Sequence, residues 1–198
     1  MPTYKLTYFK ARGVAEFARL LFAAGGLEYE DVRVEGEQWQ QLKPKTPMGQ
    51  LPILEVDGAM ICQSKAIGRL IAKKIGMAGK TDLEAARADM ITDGLEDLIG
   101  LKMSFFFTEK DENKKKEFVE KTLQPALDLF ETLASAEGYF VGNSLTWSDI
   151  GFFNMMDFIT AEYPGALDGY CKLNKVIDNV KSNPGVTKWL KERPVTDR

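Results

Sequence analysis

The start of one short strand is the feature that most limits what this chain can fold into. Pro52 has no N–H to give to a neighbouring strand, so it marks a strand start or a sheet edge, and the mostly apolar run Ile53 to Val56 follows it. Asp57-Gly58 then separates two apolar runs, which predicts a tight β-hairpin. Gln63-Ser64 begins a helical pattern in which Ser64 is the expected N-cap. A strand start, a tight turn and a helix N-terminus close together predict a place to hold a small anionic ligand.

Residues 1–79 alternate between strand and helix patterns. Tyr4 to Phe9 is rich in strand-forming residues, Ala15 to Ala24 has apolar residues at helical spacing, and Tyr29 to Val34 is typical of a second strand. The other predicted elements of this part are a short irregular helix at Glu37 to Leu42, the hairpin strands at Leu51 to Val56 and Ala59 to Cys62, and a helix at Ser64 to Ile75. A β-α-β unit followed by a hairpin and a helix predicts a thioredoxin-like α/β domain.

From residue 82 onward no strand pattern recurs, and apolar residues follow helical spacing instead. Pro125 interrupts one of these helices and is expected to kink or split it. Thr146 and Asp149 stand at the N-cap and N3 positions of a capping box. The almost wholly apolar helix Ile150 to Thr160 follows, as expected of a buried core helix. An all-helical domain at 82–198 is therefore predicted to follow the α/β domain at 1–79.

The charge and the apolar pattern exclude several classes of partner. The net charge is −3, and acidic residues flank the basic run Lys114 to Lys116, so we expect no nucleic acid as a partner. Charged residues interrupt the first twenty positions, which argues against a signal peptide. No apolar run reaches the roughly 18 residues that a membrane span needs. We therefore expect no membrane contact and a cytoplasmic location.

The side chains available for chemistry are few. Histidine is absent, which excludes Ser-His and Cys-His nucleophile systems and removes the commonest metal ligand. Cys62 and Cys171 form no Cys-x-x-Cys pair, so neither a redox pair nor a zinc site is indicated. We expect no metal, and any acid–base step has to use Tyr, Asp, Glu, Lys or the substrate itself.

Several segments in a fixed order carry a family resemblance. They are Tyr4 to Phe9, Gly13, Trp39, Gln50 to Gly58, Gln63-Ser64 and Gly142 to Asp149. Together, over essentially the whole chain, they resemble a cytosolic glutathione S-transferase. The class to which they are most similar is sigma, which includes the glutathione-dependent prostaglandin D synthases and the S-crystallins of the lens. The fold that this resemblance implies is the glutathione transferase fold, an α/β thioredoxin-like N-terminal domain followed by an all-α C-terminal domain.

The resemblance implies that the α/β domain binds glutathione as a co-substrate. Tyr8 would donate its hydroxyl hydrogen to the glutathione sulfur and favour the thiolate, since the pKa of a free cysteine thiol is about 8.5. Leu51-Pro52 would form a cis-proline turn that aligns the peptide backbone. The implied glutathione-binding residues are Tyr8, Trp39, Lys43, Gly49, Gln50, Leu51, Pro52, Gln63 and Ser64, together with Asp97 from the other subunit of a homodimer.

Different segments would hold the two ends of glutathione. Gln63 and Ser64 would bind the γ-glutamyl carboxylate, with help from the dipole of the helix that starts there. Trp39 and Lys43 match positions that contact the glycyl end, with Lys43 as the partner of its carboxylate. Without the resemblance, Lys43 would be interpreted as a solvated charge and Ser64 as a simple helix cap.

A pocket for a hydrophobic electrophile is implied as well. Its expected lining is Phe9, Gly13, Val14, Ile99, Met103, Phe106 and Met156. Taken alone, the helical methionines and Phe106 would be interpreted as core residues. Position 14 departs from relatives that carry arginine there. Val14 removes a positive charge from the pocket mouth, which favours a neutral apolar electrophile over an anionic, prostaglandin-like substrate.

Acidic residues share one side of the first long predicted helix. They are Asp89, Asp93, Glu96 and Asp97. Three interpretations stay open. The face can be solvated, it can belong to a dimer interface with Asp97 near the amino group of glutathione on the other subunit, or Asp93, Glu96 and Asp97 can hold a hard divalent cation.

The predicted function is a glutathione transferase of the detoxification type, which conjugates glutathione to hydrophobic electrophiles. One alternative is a glutathione-dependent isomerase or peroxidase that uses the same thiolate. A second alternative is a non-catalytic, S-crystallin-like protein or ligand carrier. The crystallin interpretation is weakened because Tyr8, Lys43 and Gln63 are in place and the helical region shows no long insertion.

Overall fold

A computed structural model describes residues 2–100 and 111–196, with the backbone alone at 98–100. In chain order its helices are α1 (Glu16–Gly25), α2 (Gly36–Leu42), α3 (Ser64–Lys74), α4 (Asp82–Gly100), α5 (Glu112–Phe118), α6 (Gln124–Leu133), α7 (Trp147–Glu162), α8 (Cys171–Ser182) and α9 (Pro184–Glu192). The chain divides into two units, which are Met1–Gly76 with Asn183–Arg198, and Met77–Ser182.

The first unit is built on a mixed sheet with the strand order β2-β1-β3-β4. The strands are β1 (Tyr4–Phe9), β2 (Glu30–Val34), β3 (Ile53–Val56) and β4 (Ala59–Cys62). β1 pairs in parallel with β2 and antiparallel with β3, and β3 pairs antiparallel with β4. This order confirms the predicted β-α-β unit and hairpin. Asp57 and Gly58 form the hairpin turn with φ values of 49° and 88°, the positive values that a type I′ turn requires.

The core of the first unit lies between the sheet and the helices that follow its strands. Leu6 on β1, Leu20 on α1 and Ile67 on α3 are all 0% exposed. Burying an aliphatic side chain of this size contributes roughly 1.5–3 kcal/mol. α1 ends where Gly26 takes a left-handed conformation with φ of 60°. The core thus fixes β1, and with it the residues at the end of that strand.

The last helix belongs to the first unit. Asn183 caps α9 by accepting hydrogen bonds from the N–H groups of its first turn, and its side chain donates to the carbonyl oxygen of Ala24 in α1. Gly185 lies so close to α1 that any side chain there would collide with its backbone. The predicted limits had assigned residues 183–198 to the helical domain at 82–198. This close packing on α1 instead groups them with the first unit.

In its described residues the second unit consists of helices and their connections, which confirms the predicted all-helical region. Its central helix is α7, which is apolar on nearly every side, and Phe152, Phe153 and Met155 are at most 1% exposed. The predicted capping box begins this helix, because Asp149 accepts the backbone N–H of Thr146 at 2.7 Å. A helix both long and apolar enough to cross a membrane does not occur in the described parts of the chain.

Pro125 marks a break in the helix that runs through α5 and α6. A π-helical segment, Val119–Leu123, separates the two, and Pro125 stands in the first turn of α6. Proline has no N–H to bond to the carbonyl of residue 121, so the regular ladder cannot continue through it. The prediction was a kink or a split, and the structure has a π-helical turn before Pro125 in a helical run that continues through it.

Candidate active site

Three strands of the first unit end at the same edge of the sheet. Where the pairing of β1 with β3 and of β3 with β4 stops, the strand register places three residues side by side, and these are Tyr8 near the end of β1, Pro52 before β3 and Gln63 after β4. Neighbouring strands lie about 4.8 Å apart, so this row spans about 10 Å. Residues that are 55 positions apart in the sequence are therefore brought together by strand pairing alone.

The hydroxyl group of Tyr8 lies against the backbone of Gly13. A Cβ atom on residue 13 would stand 2.6 Å from the hydroxyl oxygen and 2.8 Å from the Cε1 atom of Tyr8. Gly13 also has a φ of +42°, a value that favours glycine. Two independent requirements therefore exclude other residues at position 13. The glycine expected in the pocket lining is in direct contact with the tyrosine expected to be catalytic.

An aromatic cluster extends from Tyr8 to α2. The rings of Tyr8 and Phe9 have centroids 5.4 Å apart, and those of Phe9 and Trp39 meet edge to face at 5.7 Å. Both geometries are favourable for aromatic pairs. Phe9 remains 37% exposed, so it presents an apolar surface beside Tyr8. Tyr8, Phe9 and Trp39, which were predicted for different roles, form one cluster.

A second cluster surrounds the side chain of Gln63. Its amide nitrogen Nε2 donates to Oε1 of Gln50 at 3.3 Å and to the sulfur of Met48 at 3.4 Å. The chain of Lys43 runs past Gly49, where an added Cβ would lie 3.7 Å from the Cε atom of the lysine. The structure thus brings together the predicted residues of three segments, and Met48 joins them without having been predicted.

The N-cap residue of α3 differs from the prediction. Gln63 is the N-cap and has φ of 75° and ψ of 114°, a conformation that costs a non-glycine residue roughly 1–3 kcal/mol. Ser64 is the first residue of the helix, so its predicted role as N-cap is wrong. No capping hydrogen bond comes from the side chain of Gln63. The N-terminus of α3 therefore keeps its capacity to bind an anion.

The Leu51–Pro52 peptide bond lies in the middle of the row. It is cis, as the resemblance implied. Pro52 is buried and directly precedes β3, whereas Leu51 is half-buried. The backbone of Leu51 is thus placed between the aromatic cluster around Tyr8 and the polar cluster around Gln63.

The residues predicted for the electrophile pocket have different positions. Val14 is 45% exposed and lies next to Gly13 in the first unit. Met156 is 1% exposed in α7 of the second unit, and its role in the electrophile pocket stays a prediction. Its helix is apolar on nearly every side, so the pattern could not distinguish a pocket face from a core face. The side chain of Ile99, and both Met103 and Phe106, lie outside the described residues.

The acidic face of α4 does not form a metal site in the part of the chain that is described. Asp93 and Asp97 are exposed, and Glu96 is half-buried. Within 2–97 and 111–196, no three side chains of His, Cys, Asp or Glu stand close enough to hold a metal ion. The cross-subunit role of Asp97 stays a prediction. Two cavities of about 450 and 370 Å³ lie in the second unit, and among the predicted site residues that the structure describes, Met156 lines the smaller cavity.

A buried charged cluster beside Tyr8 was not predicted. Glu16 and Arg19 on α1 are 1% and 0% exposed, and Nε of Arg19 donates to Oδ1 of Asp31 on β2 at 3.1 Å. Burial, reinforced by the Asp31 carboxylate, raises the pKa of the neighbouring Tyr29 phenol. The available signal was a Glu-Arg pair at i, i+3 inside an apolar helix. Such pairs are usually exposed, so this pattern does not indicate a buried pair.

Comparison with protein families gives two matches. The glutathione S-transferase N-terminal domain matches residues 4–73, and the glutathione S-transferase C-terminal domain matches residues 96–193. The first match spans the sheet, the row of residues at its edge and the start of α3. The family resemblance inferred from individual motifs is thus confirmed over most of the chain.

Individual relatives match from end to end. Glutathione S-transferase 1 of Ascaris suum is 40% identical over 204 residues, and hematopoietic prostaglandin D synthase of Gallus gallus is 41% identical over 201 residues, with 99% of both chains covered in each case. The solved structure of a Nu-class glutathione S-transferase from Haemonchus contortus matches with a TM-score of 0.88, 38% identity and 100% of both chains covered. These relatives confirm the fold but do not single out the sigma class.

Proposed function

The chain belongs to the glutathione S-transferase family, and we propose that it conjugates reduced glutathione to hydrophobic electrophiles with Tyr8 as the catalytic residue. The observation that carries this proposal is the position of Tyr8, at the sheet edge in one row with Pro52 and Gln63. Its hydroxyl group donates a hydrogen bond to the glutathione sulfur. No metal takes part in this step, because the phenol stabilises the negative charge.

The magnitude required of Tyr8 is within reach of one hydrogen bond. A free thiol with a pKa of about 8.5 is mostly protonated at neutral pH. A hydrogen bond that stabilises the thiolate by about 2–3 kcal/mol lowers that pKa by roughly two units, which makes the thiolate the main form at pH 7. Hydrogen bonds to charged groups contribute about 1.5–3 kcal/mol. The absence of histidine is therefore no obstacle.

The row of residues offers contacts to two parts of glutathione. Gln63 and Tyr8, at the two ends of the row, are about 10 Å apart, so they can contact the γ-glutamyl end and the cysteinyl sulfur of one molecule. The γ-glutamyl carboxylate binds at Gln63 and Ser64, where the N-terminus of α3 offers N–H groups and a favourable dipole. The backbone of Leu51 pairs with the cysteinyl residue like an added strand.

The glycyl end of glutathione extends toward α2 and the turn that follows it. Trp39 packs on Phe9 with its ring half-buried, and Lys43 follows four positions later with its side chain exposed. Its ammonium group provides a partner for the glycyl carboxylate. Gly49 and Gln50 complete this part of the proposed site, since Gly49 lies beside the side chain of Lys43.

The chemistry is a nucleophilic substitution or addition. The thiolate forms a carbon–sulfur bond with the electrophile, and either a leaving group departs with its electron pair or the product takes up a proton from water. Phe9 and Val14 present exposed apolar surface next to Gly13 for a hydrophobic electrophile. Holding both reactants in place supplies much of the rate acceleration.

A second candidate function is the isomerisation of a prostaglandin by the same thiolate. The relative from Gallus gallus is named hematopoietic prostaglandin D synthase and is 41% identical over nearly the whole chain. Val14 argues against it, because an uncharged, 45% exposed side chain offers no partner to an anionic substrate. We therefore rank conjugation above isomerisation. A peroxidase reaction would use the same sulfur, and the sigma class remains our assignment for the chain.

We further propose that the enzyme is a cytoplasmic homodimer. Leu83 and Met90, seven positions apart on α4, are 63% and 56% exposed, and together they offer apolar surface that a second subunit would cover. Asp97 of one subunit would then approach the amino group of glutathione on the other. Sedimentation at micromolar concentration tests this proposal: a dimer is expected, and a monomer would remove the role given to Asp97.

Steady-state kinetics of wild type and Tyr8→Phe test the proposed reaction. With a chlorinated nitrobenzene or an unsaturated aldehyde, the variant is expected to lose roughly twentyfold in kcat at pH 7, because a thiol pKa that rises by about two units lowers the thiolate fraction from roughly three quarters to a few per cent. Its affinity for glutathione should change by less than about threefold, because one of many contacts is lost. Tyr4→Phe is the matched control, since Tyr4 lies on the same strand but is buried against Phe22.

Three results would contradict this account. If wild type binds glutathione but conjugates nothing above background, a ligand carrier or crystallin-like protein becomes the better description. If Tyr8→Phe loses affinity and turnover equally, Tyr8 is a binding residue only. If Tyr4→Phe loses as much as Tyr8→Phe, the effect comes from the strand and not from the hydroxyl group.

A further inference from the structure

Arg19 holds the loop that leads from β1 to α1. The Nη1 atom of this fully buried side chain donates to the carbonyl oxygens of Ala11 at 2.9 Å and Arg12 at 3.2 Å. Its Nε atom is anchored on the carboxylate of Asp31 at 3.1 Å. Two consecutive backbone carbonyls are thus fixed to a side chain that is itself fixed to β2.

The loop held by Arg19 is the one that contacts Tyr8. Gly13 follows the two carbonyls directly, and its α-carbon leaves no room for a Cβ atom beside the Tyr8 hydroxyl oxygen. The guanidinium carbon of Arg19 lies 6.0 Å from the centroid of the Tyr8 ring, at the limit of a cation–π contact. A shift of Arg19 therefore moves the wall against which the phenol rests.

The orientation of Arg19 is set by a second buried carboxylate. Glu16 accepts from Nη1 of Arg19 at 3.4 Å, from Nε1 of Trp189 at 2.9 Å and from Nη1 of Arg193 at 3.2 Å. Trp189 lies on α9 and Arg193 directly follows it. The C-terminal segment of the chain thus takes part in holding the loop at the active site.

Stability alone does not account for this arrangement. The Nη2 atom of Arg19 is buried without a hydrogen-bond partner among the described residues. An unpaired buried donor on a charged group is costly, and apolar residues of similar volume commonly stabilise a fold as well as a buried ion pair does. Burying this guanidinium costs free energy, but in this position the group holds the carbonyls of both Ala11 and Arg12.

We propose that Arg19 is a positioning residue for Tyr8, which acts through the carbonyls of Ala11 and Arg12 and through Gly13 to aim the hydroxyl group at the glutathione sulfur. This inference rests on the proposed function. Arg19 itself does not touch glutathione. Its role requires the forked geometry of a guanidinium, because one group has to bond two carbonyls and a carboxylate at once.

The test compares Arg19→Lys with Arg33→Lys in the full-length protein. Both changes keep the positive charge, and both side chains pair with Asp31, since Arg33 donates to its Oδ2 atom at 2.9 and 3.0 Å. Only Arg19 holds the loop. For each variant, thiolate absorbance of bound glutathione across pH gives the pKa of its thiol, and steady-state kinetics separate kcat from the KM for glutathione.

Arg19→Lys is expected to raise the pKa of the bound thiol and to lower kcat by about ten- to a hundredfold, because small misplacements of a catalytic group are this costly. The KM for glutathione should stay within about twofold, as its binding residues are untouched. Arg33→Lys should change neither quantity. A merely structural role of Arg19 would lower stability without moving the thiol pKa, and equal effects of the two variants would likewise overturn the inference.

Glu16→Gln serves as the second variant, in case Arg19→Lys does not fold. Its single amide oxygen can still accept from Trp189 and Arg193, whereas the NH2 group that replaces Oε2 cannot accept from Arg19, so this change removes one of the contacts that orient Arg19. A smaller rise of the thiol pKa in the same direction supports the inference, and an unchanged pKa overturns it. Failure of the proposed function looks different, because wild type itself would then show no conjugation or no lowered thiol pKa.

Discussion

Glu16 and Asp149 are both buried carboxylates, 1% and 0% exposed, but different kinds of donor hold them. Asp149 in the second unit accepts the backbone N–H groups of Phe140 and Thr146 and the hydroxyl of Thr146, all within nine residues. Glu16 in the first unit accepts only from side chains, and the indole of Trp189 is 173 residues away.

We infer from this difference that the Asp149 carboxylate stabilises the fold, whereas the Glu16 carboxylate supports the candidate active site. The donors of Asp149 are local, so the carboxylate fixes the start of α7 and the turn before it. Two donors of Glu16, Trp189 and Arg193, come from the C-terminal segment, and the third, Arg19 on the same helix, also holds the loop beside Tyr8. We therefore expect changes at Asp149 to affect stability and changes around Glu16 to affect chemistry.

Asp149→Ala should produce the largest loss of stability. It leaves two buried N–H groups unpaired, at about 1–3 kcal/mol each, so the free energy of unfolding should fall by about 3–5 kcal/mol. Chemical denaturation measures this value. Glu120→Ala, at an exposed position of the same unit, should stay within about 0.5 kcal/mol. If folded Asp149→Ala protein also shows a raised pKa of the bound glutathione thiol, then Asp149 affects the active site as well as the fold, and the distinction from Glu16 is wrong.

Gly13→Ala should lower kcat more than it lowers stability, the reverse of what we expect for Asp149→Ala. Its Cβ atom would stand 2.6 Å from the Tyr8 hydroxyl oxygen, so kcat should fall by about ten- to a hundredfold. Stability should fall by about 1–2 kcal/mol, the cost of a left-handed alanine. Gly36→Ala is the matched control, because Gly36 has φ of +44° and a Cβ atom added there would meet no neighbouring atom within 4 Å. Its stability should fall similarly while its kcat is kept, and equal losses of kcat would show that strain, not contact, matters.

Val14→Arg should have the smallest effect and should concern only the choice of substrate. A positive charge at this exposed position should raise turnover of an anionic electrophile by a few-fold, with an advantage that disappears at high salt. Turnover of a neutral electrophile and the free energy of unfolding should remain as in wild type. Strong prostaglandin isomerisation by the unmodified enzyme would contradict the interpretation of Val14.

Features defined by local sequence could be predicted. The Asp57-Gly58 turn and the capping box of Asp149 are short-range patterns with one physical solution each, and both occur as expected. The irregular helical turn before Pro125 follows from the missing N–H of the proline. For the site, the row at the sheet edge followed from recognising the strands and the family.

Features that depend on tertiary contacts could not be predicted. The predicted helix start at Ser64 is confirmed, but its N-cap is Gln63 rather than Ser64, and Gln63 takes a positive φ that its residue type does not favour. No local pattern indicated that Arg19 is buried, since its partner Asp31 lies on another element. Met156 shows the converse problem, because an apolar residue on an apolar helix carries no sign of which face it occupies.

The pKa of the glutathione thiol in complex with wild type and with Tyr8→Phe tests the central claim most directly. Thiolate absorbance measured across pH gives this value without any electrophile. The account predicts a pKa about two units below the free value of about 8.5 in wild type, and a value close to the free one in the variant. Equal pKa values in the two proteins, with glutathione bound to both, would contradict the role of Tyr8.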